Sequence, residues 1–168
     1  MHVSRQTFKQ SLTNTTTNKA MNIPRIKVKV EIENVHGERI KITGSEQAHE
    51  VCKKLFDADT IAWTEEMILI SLNRQNEVIG YNKISSGGMA GVIVDPKVIF
   101  SILLNTSAHG FIVAHNHPSG TTNPSQEDIK ITKRLKESGE LLDIKLLDHL
   151  ILTPDPDKYL SFADQGLI

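Results

Sequence analysis

Two histidines and an aspartate in the second half of the chain have the types and spacing of metal ligands. His115 and His117 are separated by one residue, and Asp128 follows a turn rich in proline and glycine. Neutral imidazoles and a carboxylate are good zinc ligands, and three protein ligands leave the fourth position of zinc open for water. If residues 110–115 form a strand, both imidazoles can converge where the strand ends. The turn can then return Asp128 from the first turn of the next helix. We therefore predict that these three side chains bind one metal ion.

The same segment also has an interpretation that needs no metal. Ser125 followed by Asp128 is typical of a helix start, with a capping serine and an acidic residue at the third helical position. A single His-Xaa-His pair is weak support for a metal site, because histidines are common in loops and on surfaces. The two interpretations of Asp128 are compatible, since a capping turn can also present a ligand. The combined spacing favours the metal site.

The complete pattern resembles a known motif. His-Xaa-His, seven residues, Ser, two residues and Asp is similar to the JAMM (MPN+, JAB) metalloprotease motif, and the segment AHNHPSGTTNPSQEDIKITKRLKESGELLDIKLLDHLIL resembles its RadC branch. The similarity runs from about Ile42 to residue 168. It implies an α/β fold in which helices flank a mixed β-sheet, the three-layer JAB/MPN sandwich that cytidine deaminases also approximate. It also implies a Zn²⁺ cofactor and a zinc metallopeptidase that hydrolyses peptide or isopeptide bonds in a peptide or protein substrate.

Hydrolysis by such a site also needs a carboxylate that is not a ligand, because a proton must leave the attacking water and reach the leaving amine. Glu65 and Glu66 stand at the start of a strongly apolar segment. Adjacent residues of a strand point to opposite faces, so only one of them can face the site. The resemblance places the catalytic glutamate ahead of such a strand, and alignment on MILISLN favours Glu65, with Glu66 as the second choice. Without the downstream motif, both would be interpreted as solvated carboxylates at a strand edge.

Ser125 has two competing roles. In JAMM enzymes the corresponding serine helps to hold the developing oxyanion, and one such donor can lower a barrier by about 3 kcal/mol. As a helix cap, the same hydroxyl would contribute about 1 kcal/mol of stability.

The elements that must position these residues follow from periodicity and turn signals. Asp95 and Pro96 are typical of a helix start, and Gly139 is expected to end the helix that begins at Ser125, near Ser138. The predicted order is βαββαβαβ. It begins with an alternating strand of Ile26, Val28, Val30 and Ile32 that pairs with 39–43, followed by a helix from Ser45 to about Phe56. The two helices above then alternate with the strands 65–73, 77–84, 110–114 and 144–152, and a packed tail follows at 159–168.

Several further residues have interpretations that need no metal. His49 is expected to be solvated, and His109 to lie in a loop. His149 falls within the last core strand, where a histidine is more often structural, although the resemblance to RadC proteins leaves a site-lining role open. Asn116 would face away from its two histidine neighbours and help to shape the turn. The glycine-rich segment 85–91 lacks the features of a phosphate loop and is expected to allow close backbone approach beside the site.

Length and composition indicate one domain of ordinary type. The chain has 168 residues and is 39% hydrophobic, which suits a single core over residues 23–168 after a polar tail at 1–22. Met21 is an alternative start to Met1. Cys52 is the only cysteine, so it cannot form an internal disulfide and is expected in the core. With no signal-type segment and no apolar run long enough for a membrane, we expect a cytoplasmic protein.

The alternative function is a metal-binding or interaction module without turnover, associated with DNA repair or mobile elements, as the RadC label suggests. The net charge of -1 argues against direct DNA binding. The helix-hairpin-helix segment that many RadC proteins carry is also not apparent, since a strand and a helix are predicted at 25–60. A cytidine-deaminase-type zinc enzyme is excluded by its ligands, because that signature needs His-Xaa-Glu and paired cysteines.

Overall fold

The computed structural model describes residues 25–33, 37–86 and 94–168. Within these ranges the chain forms three helices and five strands in the order αββαβαββ. They are α1 (Ser45–Lys53), β1 (Glu66–Leu72), β2 (Val78–Ser86), α2 (Pro96–Asn105), β3 (Gly110–Asn116), α3 (Gln126–Leu141), β4 (Lys145–Leu152) and β5 (Tyr159–Ser161).

The five strands form one mixed sheet in the order β2-β1-β3-β4-β5. β1 is antiparallel to both β2 and β3, β3 is parallel to β4, and β4 is antiparallel to β5. The parallel pair requires a crossover connection, which α3 supplies. β3 is buried along its whole length at the centre of the sheet. This architecture confirms the predicted mixed sheet flanked by helices.

Two apolar clusters separate the molecule into three layers. Ile112 and Ala114 of β3 pack into the cluster that includes α1, whereas Phe111 and Val113 pack with α2 and α3. Because alternate residues of a strand share a face, the next residue of the second series, His115, belongs to the α2/α3 face. The strand pattern therefore decides which layer the site occupies.

The predicted N-terminal strand is wrong. Residues 25–33 have no regular secondary structure, and the side chains of Ile26 and Val28 are 86% and 69% exposed. Alternation predicts two faces, but a strand also needs a neighbouring backbone to pair with. The expected partner, 39–43, instead forms a single bridge between Lys41 and Glu77, the residue just before β2.

The first helix differs from its prediction at both ends. α1 ends at Lys53 rather than near Phe56, and its N-cap is Gly44. The Ser45 hydroxyl, at the predicted start of the helix, does not cap it and instead donates to Asp164 Oδ2 at 2.6 Å. His49 was expected to be solvated, but it is buried and its ring stacks on Tyr159 at a centroid distance of 3.8 Å. Cys52 is buried, as expected, together with Ala48 one helical turn before it.

Gly139 does not end its helix. α3 continues to Leu141, and a Cβ added at Gly139 would lie 2.3 Å from the carbonyl oxygen of Ile144. The glycine is therefore required by the close approach of helix and following strand, not by a helix stop. By contrast, the Asp95 cap is confirmed, since its carboxylate accepts a hydrogen bond from the Lys97 amide at 3.0 Å.

Other predictions have mixed outcomes. Part of the expected C-terminal tail forms β5, and the glycine-rich segment begins within β2 at Ser85. Residues 87–91 of that segment, and the predicted tail at 1–22 with Met21, lie outside the described residues. Among the helices described, none is both long enough and apolar enough to cross a membrane.

Candidate metal centre

The end of β3, the central strand of the sheet, carries His115 and leads directly to His117. His115 pairs with Met67 of β1 on one side and with Ile151 of β4 on the other. His117 lies just beyond the strand, where its amide donates to the Leu152 carbonyl at 2.8 Å. Neighbours on both sides thus fix the backbone that carries both imidazoles.

A tight turn and a helix cap deliver the third side chain. Gly120 adopts a φ of +77°, which favours glycine, as the chain reverses after β3. At the start of α3, the Ser125 hydroxyl accepts the Asp128 amide at 3.1 Å, and Asp128 Oδ2 accepts the Ser125 amide at 2.7 Å. The predicted capping box is therefore present. It holds the Asp128 carboxylate at a helix N-terminus, where the helix dipole favours negative charge.

The three predicted ligands converge in the folded chain. The Nε2 atoms of His115 and His117 are 3.0 Å apart, His115 Nε2 is 3.2 Å from Asp128 Oδ1, and His117 Nε2 is 3.5 Å from Asp128 Oδ2. A tetrahedral zinc ion with bonds of about 2.0–2.1 Å keeps its ligand atoms about 3.3 Å apart. Their mutual spacing therefore fits a small metal ion.

His117 is oriented to offer a lone pair to this group. Its Nδ1 lies 2.9 Å from the carbonyl oxygen of Thr121. A carbonyl oxygen can only accept, so Nδ1–H donates and Nε2 of the neutral ring is left free for a metal. A hydrogen bond to Asp128 raises the pKa of His117, burial opposes that rise, and the charge of Glu65 adds to it. A proton therefore competes with a metal ion for this nitrogen.

Asp128 is ionised at neutral pH despite its burial. Burial acts to raise the pKa of the carboxyl, but the neighbouring imidazoles of His115 and His117 and a hydrogen bond from Ser125 outweigh it and hold the pKa well below its usual range. A charged carboxylate beside two imidazoles suits a divalent cation.

The two glutamates have separate environments. Glu66 opens β1, is buried, and pairs with Lys83 Nζ at 3.1 Å. It has the strand parity of Ile68, which packs on the α1 side. Glu65 is half-buried and directly precedes the strand. Continued alternation gives Glu65 the α2/α3 face, the same face as His115, and its charge acts on His117. The geometry therefore favours Glu65 over Glu66 as the carboxylate near the site.

Asn116 has a specific structural task that the sequence did not reveal. Its Oδ1 accepts the Glu66 amide at 2.7 Å, and its Nδ2 donates to the carbonyl oxygens of Ile61 and Thr64 at 2.7 and 2.8 Å. The side chain faces away from His115, as predicted, and holds the segment that leads through Glu65 into β1. The middle residue of the His-Xaa-His pair thus anchors a different part of the site.

Comparison with known families agrees with this geometry. The sequence model of a family described as the RadC-like JAB domain matches residues 42–167. The chain belongs to the RadC-like JAB domain family. The triad of His115, His117 and Asp128 lies within the matched residues.

The relatives of this RadC-like domain carry only a general name. It is 50% identical to a UPF0758 protein of Flavobacterium johnsoniae over 61% of this chain and 44% of that protein. It is 39% identical to a Clostridium perfringens UPF0758 protein over 71% of this chain and 52% of the relative. For an Aquifex aeolicus UPF0758 protein the values are 38%, 77% and 54%. The chain thus spans about half the length of the curated relatives it matches.

In this RadC-like domain, two residues outside the motif also contact the triad. His149 of β4 is fully buried, its Nε2 lies 2.7 Å from His115 Nδ1, and burial lowers its pKa. Thr132 lies one helical turn after Asp128 and contacts His149 Nδ1 at 2.6 Å. The sequence left the role of His149 open and gave no role to Thr132. The available signal for Thr132 was its i+4 spacing from Asp128, which places both on one helix face.

Proposed function

We propose that this chain is a zinc-dependent metallohydrolase of JAMM type that cleaves peptide or isopeptide bonds. The observation that carries the proposal is the convergence of the His115, His117 and Asp128 side chains, whose Nε2 and carboxylate oxygen atoms approach one another to between 3.0 and 3.5 Å. Two neutral imidazoles and one carboxylate form the donor set of a hydrolytic zinc site with an open position. The resemblance to JAMM metalloproteases supports the same reaction class.

Within this proposal, Glu65 transfers protons. Zinc, when bound, would lower the pKa of a coordinated water to about 7. Glu65 shares the sheet face of His115 and would accept the proton of the attacking water as the carbonyl carbon is attacked. The same carboxyl would then donate that proton to the nitrogen of the departing amine as the C–N bond breaks. Glu66 takes no part, since its carboxylate pairs with Lys83 on the other face.

Ser125 would act as a hydrogen-bond donor to the developing oxyanion. Its hydroxyl currently donates to Asp128 Oδ2 at 2.6 Å while accepting the Asp128 amide. A hydroxyl has one proton and can rotate it about the Cβ–Oγ bond. The cap can therefore keep Oγ in place while the proton turns from Asp128 towards substrate. The two roles of Ser125 are compatible in this geometry.

Metal content in variants is the first test of the proposal. We expect near-stoichiometric zinc by elemental analysis in the wild type and in Glu65→Gln, but not in Asp128→Ala. Glu66→Gln is the matched control for Glu65→Gln, because it makes the same chemical change one residue away on the opposite face. A wild type that binds no zinc when the ion is supplied would contradict the proposal.

Hydrolysis of a panel of peptides and isopeptides is the second test. We expect Glu65→Gln to lose turnover while Glu66→Gln retains it. Ser125→Ala should keep zinc and lose about 100-fold in kcat, as removal of an oxyanion donor does. If the serine were only a cap, the variant would lower Tm and leave kcat per folded molecule unchanged. A zinc-loaded wild type without turnover on any substrate class would favour the non-catalytic interaction module.

A further inference from the structure

A continuous series of hydrogen bonds connects two of the proposed ligands behind the site. His115 Nδ1 lies 2.7 Å from His149 Nε2, and His149 Nδ1 lies 2.6 Å from Thr132 Oγ1. The Thr132 hydroxyl lies 2.6 Å from the carbonyl oxygen of Asp128. The series of hydrogen bonds therefore begins on one proposed ligand residue and ends on another, and the side chains of all four residues are buried.

Counting protons shows which group donates and which accepts in each of these hydrogen bonds. The Asp128 carbonyl can only accept, so the single hydroxyl proton of Thr132 is donated to it. Thr132 Oγ1 must then accept from His149, which places a proton on His149 Nδ1. Since the neutral ring carries only one proton, His149 Nε2 is an acceptor and takes a hydrogen bond from His115 Nδ1–H.

The surroundings of His149 favour the neutral ring. His149 has no exposed surface, and its ring stacks on Phe162 at a centroid distance of 4.6 Å. Its two nitrogens face His115 and Thr132, and neither contact is a carboxylate. A charged imidazole in this position would lose its hydration without a directly bonded anion.

We propose that Thr132, acting through His149, fixes the tautomer of His115 with its proton on Nδ1, so that the Nε2 lone pair faces His117 and Asp128. The metal-binding consequence rests on the proposed function, whereas the tautomer itself does not. Thr132 and His149 are positioning residues, since neither contacts the metal position. The opposite tautomer would direct an N–H of His115 into the site and remove one ligand, because a protonated nitrogen cannot coordinate.

Thr132→Val tests the proposal with little change in shape, because it replaces the hydroxyl by a methyl group. Without its acceptor, His149 Nδ1–H is left unpaired, and the ring gains by moving its proton to Nε2 and donating to His115 Nδ1. His115 then carries its proton on Nε2. Thr132→Ser keeps the hydroxyl and is the matched control.

The tautomers can be read directly from the metal-free protein. We expect ¹⁵N–¹H correlation spectra of the imidazoles to show Nδ1–H for His115 and His149 in the wild type and in Thr132→Ser. In Thr132→Val the Nε2–H form of both rings should increase. The zinc Kd, measured by chelator competition, should rise about 10- to 100-fold in Thr132→Val and stay near the wild-type value in Thr132→Ser.

Two results would overturn the proposal. One is an Nε2–H tautomer of His115 in the metal-free wild type. The other is a folded Thr132→Val variant with wild-type tautomers and zinc Kd. A purely structural role of Thr132 would lower Tm without changing the tautomers. If the wild type bound no zinc, the proposed function would fail, whereas the expected tautomers and their loss in Thr132→Val would still support the hydrogen-bond assignment.

Discussion

The candidate ligand residues of this domain are held by hydrogen bonds to atoms on the far side of each side chain from the common centre. Thr121 accepts from Nδ1 of His117, and the Ser125 amide and hydroxyl both donate to Oδ2 of Asp128. These contacts leave His117 Nε2 and Asp128 Oδ1 facing the common centre. Nearby lone pairs repel one another unless a proton or a cation lies between them. Below its raised pKa, His117 Nε2 should therefore carry a proton in the metal-free site, where a bound metal ion would otherwise lie.

Zinc affinity should fall as the pH falls. The hydrogen bond to Asp128 raises the pKa of His117 above the ordinary value near 6.5. Below the raised pKa, each further decrease of one pH unit should raise the apparent zinc Kd about tenfold, since one proton must leave for each ion bound. Chelator competition across a pH series measures this slope. A Kd independent of pH through the neutral and mildly acidic range would contradict the assignment of His117 as a ligand.

In the metal-free protein, the contribution of His117 to folding stability should increase as the pH falls, opposite to the trend in zinc affinity, and this serves as an internal control. Because the folded-state pKa of His117 is raised, its contribution to stability is complete below the unfolded pKa and is lost as the pH rises through the folded pKa. Asp128 has a depressed pKa, so its contribution is complete above its unfolded pKa and is lost only in strong acid. The two windows are separate, and unfolding measured without metal can resolve them.

Strand β3 serves the site with both of its faces. His115 faces α2 and α3, whereas Asn116 makes two hydrogen bonds to the backbone of the segment before β1 and one to the first amide of β1. A strand can do this because successive side chains alternate. The position of Glu65 therefore depends on the same strand that carries His115, the first candidate ligand.

Asn116→Ala should destabilise the fold and release the segment that carries Glu65. It leaves the Glu66 amide and the Ile61 and Thr64 carbonyls without this partner, at a cost of about 3 kcal/mol. Denaturant unfolding measures the loss, and hydrogen exchange should show faster exchange at Glu66. Asn82→Ala, on the exposed edge strand β2, is the control and should change stability by less than about 0.5 kcal/mol. Equal effects of the two variants would refute the anchoring role.

Gly139→Ala should also be destabilising, although alanine is the better helix former by about 1 kcal/mol. The added Cβ would lie 2.3 Å from the backbone oxygen of Ile144, so α3 or the start of β4 must shift. We expect a loss of about 1–3 kcal/mol in the free energy of unfolding. The neighbouring Ser138→Ala is the control and should be neutral or slightly stabilising. A more stable Gly139→Ala protein would show that the turn into β4 adapts easily.

For the whole molecule, metal binding should be coupled to folding. The ligands come from β3, the loop after it and α3, which approach one another only when the sheet and the helix layer have assembled. A ligand that binds only the folded state stabilises it by about 2.7 kcal/mol at 100 times Kd. For a domain of this size we expect zinc to raise Tm by about 5–10 °C. Calorimetry with and without zinc measures the shift, and Asp128→Ala should show none.

Local patterns predicted much of this fold correctly. The two central strands, the helix start at Asp95 and the capping box at Ser125 all follow from short-range chemistry. Predictions failed where a distant partner decides the outcome. Residues 26–32 alternate but have no regular structure, His49 is buried against Tyr159, and Gly139 lies inside its helix because Ile144 approaches it.

The candidate site divides in the same way. Residue types and spacing singled out His115, His117, Asp128 and Ser125 as candidates, because a strand end, a turn and a helix start carry them within 14 consecutive residues. The choice of Glu65 rested on the family resemblance. Tertiary structure decided which neighbours these side chains meet. Only the parallel pairing of β3 with β4 brings His149 behind His115, and only the packing of α3 on the sheet brings Thr132 to His149. Hydrogen bonds between residues distant in sequence depend on the assembled layers, which no local pattern encodes.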